Sequence, residues 1–91
     1  MNESLLQSVP ALNPMFRLQW ETAQDCFVLL YPEGMVQLNG PAGEILSRVN
    51  GLHSLQTIID ELCDKFPGAE DLSEDVIEFI KEAHEHNWIT L

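Results

Sequence analysis

The residues able to do chemistry are few in this sequence, and their spacing does not gather them. His84 and His86 are the obvious pair. Two positions apart on a helix, they point about 200° from each other around the axis and cannot share a metal ion. His53 lies outside that helix, near a helix start, and three solvated or partly packed histidines are the simpler reading. Cys63 falls on a helical stripe with Leu55, Ile58, Ile59, Leu62 and Phe66, and Cys26 opens an apolar strand. Without short metal spacing or a framework of pairs, both read as buried free thiols of a reducing compartment. No glycine-rich phosphate loop, hydrolase elbow or zinc spacing is present. No catalytic residue, metal ligand or cofactor is assigned, and the chain is expected not to be an enzyme.

What remains is a surface for binding, and composition limits what it binds. The chain has 91 residues, enough for one domain with a modest core. Four Lys plus Arg stand against fifteen Asp plus Glu, a net charge of -11, so its field repels phosphate backbones and anionic lipid. Nucleic acid is excluded as a partner even if the fold were one used on DNA, because the third helix sets Asp71, Glu74, Asp75, Glu78, Glu82 and Glu85 against Lys81 alone. No apolar run approaches a membrane span, and Glu3 stands where a signal peptide carries positive charge. A cytoplasmic address is expected.

The elements that must position a binding surface follow from periodicity. Phe16, Leu18 and Trp20 alternate with Arg17, Gln19 and Glu21, the period of a half-buried strand. The apolar run from Phe27 to Tyr31 is a second strand, and Pro32, Glu33 and Gly34 turn the chain, with Gly34 suited to a positive φ. Met35 to Leu38 is the third, with Val36 and Leu38 on one face and Met35 and Gln37 on the other. Three helices come next. The first starts at Asn39, Gly40 and Pro41, carries Ala42, Ile45, Leu46 and Val49, and ends at Asn50 and Gly51. The second is capped by Ser54, and the third opens at Asp71 or Ser73, with Glu74 placed for a capping box if Asp71 is the cap. Along the third helix Val76, Phe79, Ile80 and Ala83 form one face, with Ile77 and His84 beside it. Asn87 closes it, and Trp88, Ile89 and Leu91 form an apolar tail expected to pack on the core in extended form.

The fold class expected is α+β, a three-stranded antiparallel sheet followed by three α-helices, like a winged helix-turn-helix. Residues 1–14 are expected to be a flexible arm, since Pro10 and Pro14 interrupt any long element, and residues 15–91 the domain proper. The segment from Met35 to Asn39 carries no charge, although an edge strand is normally guarded by charge or cover. A peptide can add to such an edge as a further strand.

On the strings FRLQWE, LLYPEGMVQLN, AGEIL, the Asn-Gly pair at 50–51 and the closing HNWI, the chain resembles the pyrroloquinoline quinone biosynthesis protein D (PqqD) family from about Phe16 to Ile89. The resemblance implies a winged-helix-like RiPP precursor peptide recognition element. Such a protein acts as a peptide chaperone in pyrroloquinoline quinone (PQQ) biosynthesis. It binds the precursor peptide PqqA and presents it to the radical SAM enzyme PqqE, which cross-links a Glu and a Tyr of the peptide. The peptide would lie along the third strand, here Met35, Val36, Gln37, Leu38 and Asn39, in a cleft walled by Ile77, Ile80, Lys81 and His84 of the third helix. The family usually closes its first helix with Asp-Gly, and this chain has Asn50 and Gly51.

Two further readings stay open at the level of sequence. One is an acidic docking adaptor that uses its helix face and adds no peptide strand. The other is a homodimer, which either the apolar residues Leu5, Leu6, Val9 and Leu12 or an open strand edge would allow.

Overall fold

The computed structural model describes residues 2–91. In chain order they form α1 (Asn2–Gln7), β1 (Ala11–Leu12), β2 (Arg17–Glu21), β3 (Cys26–Tyr31), β4 (Gly34–Gln37), α2 (Gly40–Leu46), α3 (Leu55–Lys65), α4 (Leu72–Glu85) and β5 (Ile89–Thr90). The strands form a three-stranded antiparallel sheet in the order β2-β3-β4 and a separate two-stranded pair of β1 with β5. The expected meander is therefore present, and so are the three helices that follow it. An N-terminal helix and a second small sheet are added to them.

β3 is the middle strand, which is why its sequence is a continuous apolar run rather than an alternating one. Leu29 lies between Leu18 and Val36 on the helix-bearing face, and Val28 between Gln19 and Gln37 on the other, and both are buried. From Leu29 the core runs through Leu38, Ile45 and Leu46 to Leu55, Ile58 and Leu62 of α3, Val76 and Ile80 of α4, and Ile89. The hairpin differs from expectation at its turn. Tyr31 pairs with Gly34, so the loop is Pro32 and Glu33 alone, and Gly34 is extended strand without positive φ. A residue held in the ladder cannot also supply the left-handed corner.

Local capping chemistry sets two helix starts as expected. Asn39 Oδ1 accepts the Ala42 N–H at 2.8 Å, and Ser54 Oγ accepts that of Thr57 at 3.2 Å. Asp71 is the N-cap position of α4, but it sits at φ 56° and ψ 21° and makes no side-chain cap bond, so no capping box forms. Asn87, at φ 63°, follows the end of α4. α2 ends at Leu46 instead of reaching Asn50 and Gly51. Those two residues are engaged elsewhere: Asn50 bridges to Ala11, and Gly51, at φ 76°, donates its N–H to the Pro10 carbonyl at 3.1 Å.

The buried stripe of α3 is Leu55, Ile58, Ile59 and Leu62. Cys63 lies beyond its margin and is exposed, Cys26 is half-buried, and Phe66 is 41% exposed at the helix end, so neither thiol is enclosed as the sequence suggested. Residues 1–14, expected as a flexible arm, carry α1 and β1 from Asn2 onward. Leu5, Leu6 and Leu12 rest on the core, Pro10 is fully buried, and the Ser8 carbonyl accepts the Leu55 N–H at 2.9 Å. The prolines break this stretch into short pieces without preventing each piece from packing. The apolar tail pairs in register with β1, Ala11 opposite Thr90 and Leu12 opposite Ile89, which takes it away from β4.

Candidate functional site

The direction of the backbone groups along β4 follows from one hydrogen bond and the register. Leu38 donates its N–H to the Phe27 carbonyl at 3.0 Å, one step beyond the Val28–Gln37 pair. Antiparallel ladders alternate between hydrogen-bonded and non-bonded pairs. Val36 opposite Leu29 and Gly34 opposite Tyr31 thus have the same phase as Leu38, and their polar groups turn into the sheet. Met35 and Gln37 have the opposite phase. Their N–H and C=O groups point away from β3, at an edge that no other described strand covers.

The side chains of this edge follow the alternation read from sequence. Met35 is 54% exposed and Gln37 is exposed, whereas Val36 is half-buried and Leu38 buried. The Gln37 side-chain amide donates to Gln24 Oε1 and lies 3.6 Å from Cys26 Sγ, which ties it to the loop before β3. Asn39 has the helix-start role expected of it as well as its place at the end of the edge: its side chain caps α2, and its carbonyl accepts the Gly43 N–H at 3.0 Å, so that carbonyl is already engaged. The available template is two residues long, with up to four main-chain hydrogen bonds.

On α4 the buried stripe is Val76, Ile80 and Ala83, and Ile77, Lys81 and His84 form a row along one flank of it. Ile80 is 0% exposed, so it supports the wall from within the core and is not part of its surface. Ile77 is half-buried, and Lys81 and His84 are exposed. Val36 and Ile77 both pack on the common core. The structure does not gather all nine expected residues around one hollow. A cavity of about 510 Å³ lies on the opposite flank of α4, lined by Pro41, Ile45, Leu62, Phe66, Leu72 and Val76 among others. A smaller one of about 170 Å³ lies by Trp20, Phe27 and Asn39. The larger cavity carries no signal of its own in the sequence, because its lining is drawn largely from three helices and its apolar residues are of types that also fit a core.

Charge is distributed unevenly. Glu44 meets Arg48 at 2.8 Å and Lys65 at 3.0 Å, and Arg48 also reaches Glu61 at 3.4 Å. The Lys65 ammonium and then the Arg48 guanidinium hold the Glu44 carboxyl below its ordinary pKa. Arg17 and Lys81 enter no ion pair among the described residues. Among the described residues no group of three or more His, Cys, Asp or Glu side chains is placed to hold a metal ion, and no helix is long and apolar enough to cross a membrane.

Known proteins with the same features agree with one another. The chain is 48% identical over 91 residues to the PqqA binding protein of Azotobacter vinelandii, covering 100% of this chain and 99% of that one. It is 50% identical over 86 residues to the PqqA binding protein of Pseudomonas paraeruginosa, with 94% of each chain covered. Among solved structures it is similar to the solution NMR structure of the PqqD truncation of Methylobacterium extorquens PqqCD, described as a functional and stand-alone RiPP recognition element. That likeness has a TM-score of 0.78 over 94% of this chain and 93% of the other at 21% identity, and it shows a shared fold. The sequence pattern of coenzyme PQQ synthesis protein D matches residues 26–89, the span from the opening of β3 to the first residue of β5. By this match and by its close relatives, the chain belongs to the PqqD family.

Proposed function

We propose that this protein binds the precursor peptide PqqA by strand addition along β4 and presents it to the radical SAM enzyme PqqE. The observation that carries the reading is the uncharged β4 edge, with the main-chain groups of Met35 and Gln37 turned outward and the C-terminal strand paired elsewhere. Relatives named as PqqA binding proteins support the choice of peptide. A flexible peptide loses conformational freedom when it becomes a strand, and backbone hydrogen bonds together with burial of a few apolar side chains beside Val36 and Ile77 offset that loss. Lys81 and His84, exposed on the same flank of α4, would take the peptide's polar groups. Bond-making belongs to PqqE, and this chain supplies an extended, oriented substrate.

Titrating the isotopically labelled protein with PqqA tests the reading. The amide signals of Met35 and Gln37 are expected to move most, with those of Ile77 and Lys81 following. Perturbations confined to the acidic helix surfaces, with β4 silent, would instead establish a docking adaptor.

A further inference from the structure

The cavity of about 510 Å³ lies on the flank of α4 away from Ile77 and Lys81, and strand addition along β4 makes no use of it. Ile45, Leu62 and Val76 at its base are buried, and the half-buried Leu72 and the more exposed Phe66 form its sides. Phe66 follows Leu62 by four residues and would continue the buried stripe of α3, yet it remains 41% exposed beside this space. The charged residues of the lining, Glu44 and Asp75, are both acidic and lie toward solvent. A volume of this size falls in the range of about 300–1,000 Å³ that receives small ligands, and an apolar lining with few polar groups is their usual setting. The mouth already holds one cation. Lys65 places its ammonium 5.6 Å from the centroid of the Phe66 ring and 3.0 Å from both carboxylate oxygens of Glu44. An aromatic face beside a carboxylate is the arrangement that recognises an organic ammonium. Lys65 is outside the lining, so it satisfies Glu44 and leaves the space behind unfilled. Asp75 enters no ion pair among the described residues.

We propose that this cavity is a binding site for a small organic amine, whose apolar body lies on Ile45, Leu62, Leu72 and Val76 and whose ammonium stands at the mouth between the Phe66 ring and Asp75. Apolar burial supplies the attraction, and the two carboxylates select the sign of the charge that accompanies it. The net charge of -11 favours a cation over an anion before any contact is made. Lys65 acts as an internal competitor, because its ammonium takes up part of the same aromatic and acidic surface. With half of its side chain exposed, it can yield that surface at little cost. This inference is independent of what β4 binds.

Tryptamine, protonated at neutral pH, is the probe, and indole-3-propionate is its anionic counterpart. Titrated into the full chain with labelled methyl groups, tryptamine is expected to move the signals of Leu62, Leu72 and Val76 and to leave those of Val36 and Ile77 in place. A dissociation constant on the order of 1 mM is expected for a ligand of this size. Indole-3-propionate should move none of them. Asp75→Asn should weaken tryptamine binding about threefold or more. Lys65→Met removes the competing ammonium, keeps an apolar stem and should tighten binding about twofold or more. Ala69→Trp brings a ring into the mouth from an exposed position and should abolish the methyl shifts. Equal binding of the two probes, indifference to Asp75→Asn, weaker binding to Lys65→Met, shifts that survive Ala69→Trp or centre on Val36 and Ile77, or no shifts at all overturns the proposal.

Discussion

Gly43 of α2 lies directly against the ring of Phe27 in β3: a β-carbon added at Gly43 would stand 2.7 Å from Phe27 Cδ2 and 3.3 Å from its Cβ. The helix backbone crosses the sheet at this point without a side chain between them, and the Phe27 ring also meets Trp20 edge-on. In an open helix Gly→Ala gains up to about 1 kcal/mol of helix propensity. Here overpacking of about 1–3 kcal/mol opposes it. Gly43→Ala is expected to lower stability by roughly 1 kcal/mol in urea unfolding, against the propensity trend.

Proline separates the two sides of β4. Met35→Pro or Gln37→Pro removes an N–H that points away from β3, a position where an edge strand tolerates proline. Melting temperature should change little, while PqqA affinity measured by calorimetry should fall about tenfold for the loss of one or two hydrogen bonds. Val36→Pro removes a donor aimed at Leu29 and leaves a carbonyl of the middle strand unpaired, at a cost of about 1–3 kcal/mol in stability. If all three behave alike, the assigned phase of the ladder is wrong.

Asn39→Ala deletes the acceptor that holds the Ala42 N–H. The expected loss is about 1 kcal/mol by thermal unfolding, and Asn39→Asp should retain most of the stability because it keeps an N-cap acceptor.

The Glu44 cluster makes a prediction for acid. Because its carboxyl is held below the ordinary value of 4.5 in the folded chain, it contributes stability above that value. This contribution is lost as pH falls through the depressed value. For a partly exposed pair the contribution amounts to no more than about 1 kcal/mol. Unfolding curves of the protein and its Glu44→Gln variant should therefore differ fully above pH 4.5 and draw together only as pH falls below that value, through the depressed one.

The two thiols should differ in access. Cys63 is exposed and Cys26 half-buried, so a thiol reagent under native conditions is expected to modify Cys63 first, and Cys26 with it only after denaturation or on a slower phase.

Much of this architecture was legible wherever a residue's role is decided locally. Alternation at Phe16, Leu18 and Trp20 marks a strand whatever the rest of the chain does, and Asn39 and Ser54 cap because their side chains reach a backbone N–H three residues on. Features decided at a distance were not legible. A two-residue strand has no period, so nothing at Ala11 and Leu12 announces a partner at Ile89 and Thr90. Asn50 and Gly51 carry a helix-end signature, but their backbones are committed to Ala11 and Pro10. At the site, side-chain alternation separates Met35 and Gln37 from Val36 and Leu38 by face. Which of them point their hydrogen-bonding groups outward needs the pairing partner as well. For the same reason Ile80 and Ile77 look interchangeable in sequence, although one is sealed in the core and the other borders it.

The pairing of β1 with β5 also bears on how the protein comes to be made. Of all the strand pairings, this one joins residues separated by nearly the whole length of the chain, whereas the meander closes through neighbours. During synthesis every strand of the sheet that carries β4 is made before β5, the partner of β1. A chain in which the meander has formed and β5 has not therefore carries two unpaired strands at once, β4 at its outer edge and β1. A strand-seeking segment meets two open strands in that state, and one that pairs with β1 keeps out Ile89 and Thr90.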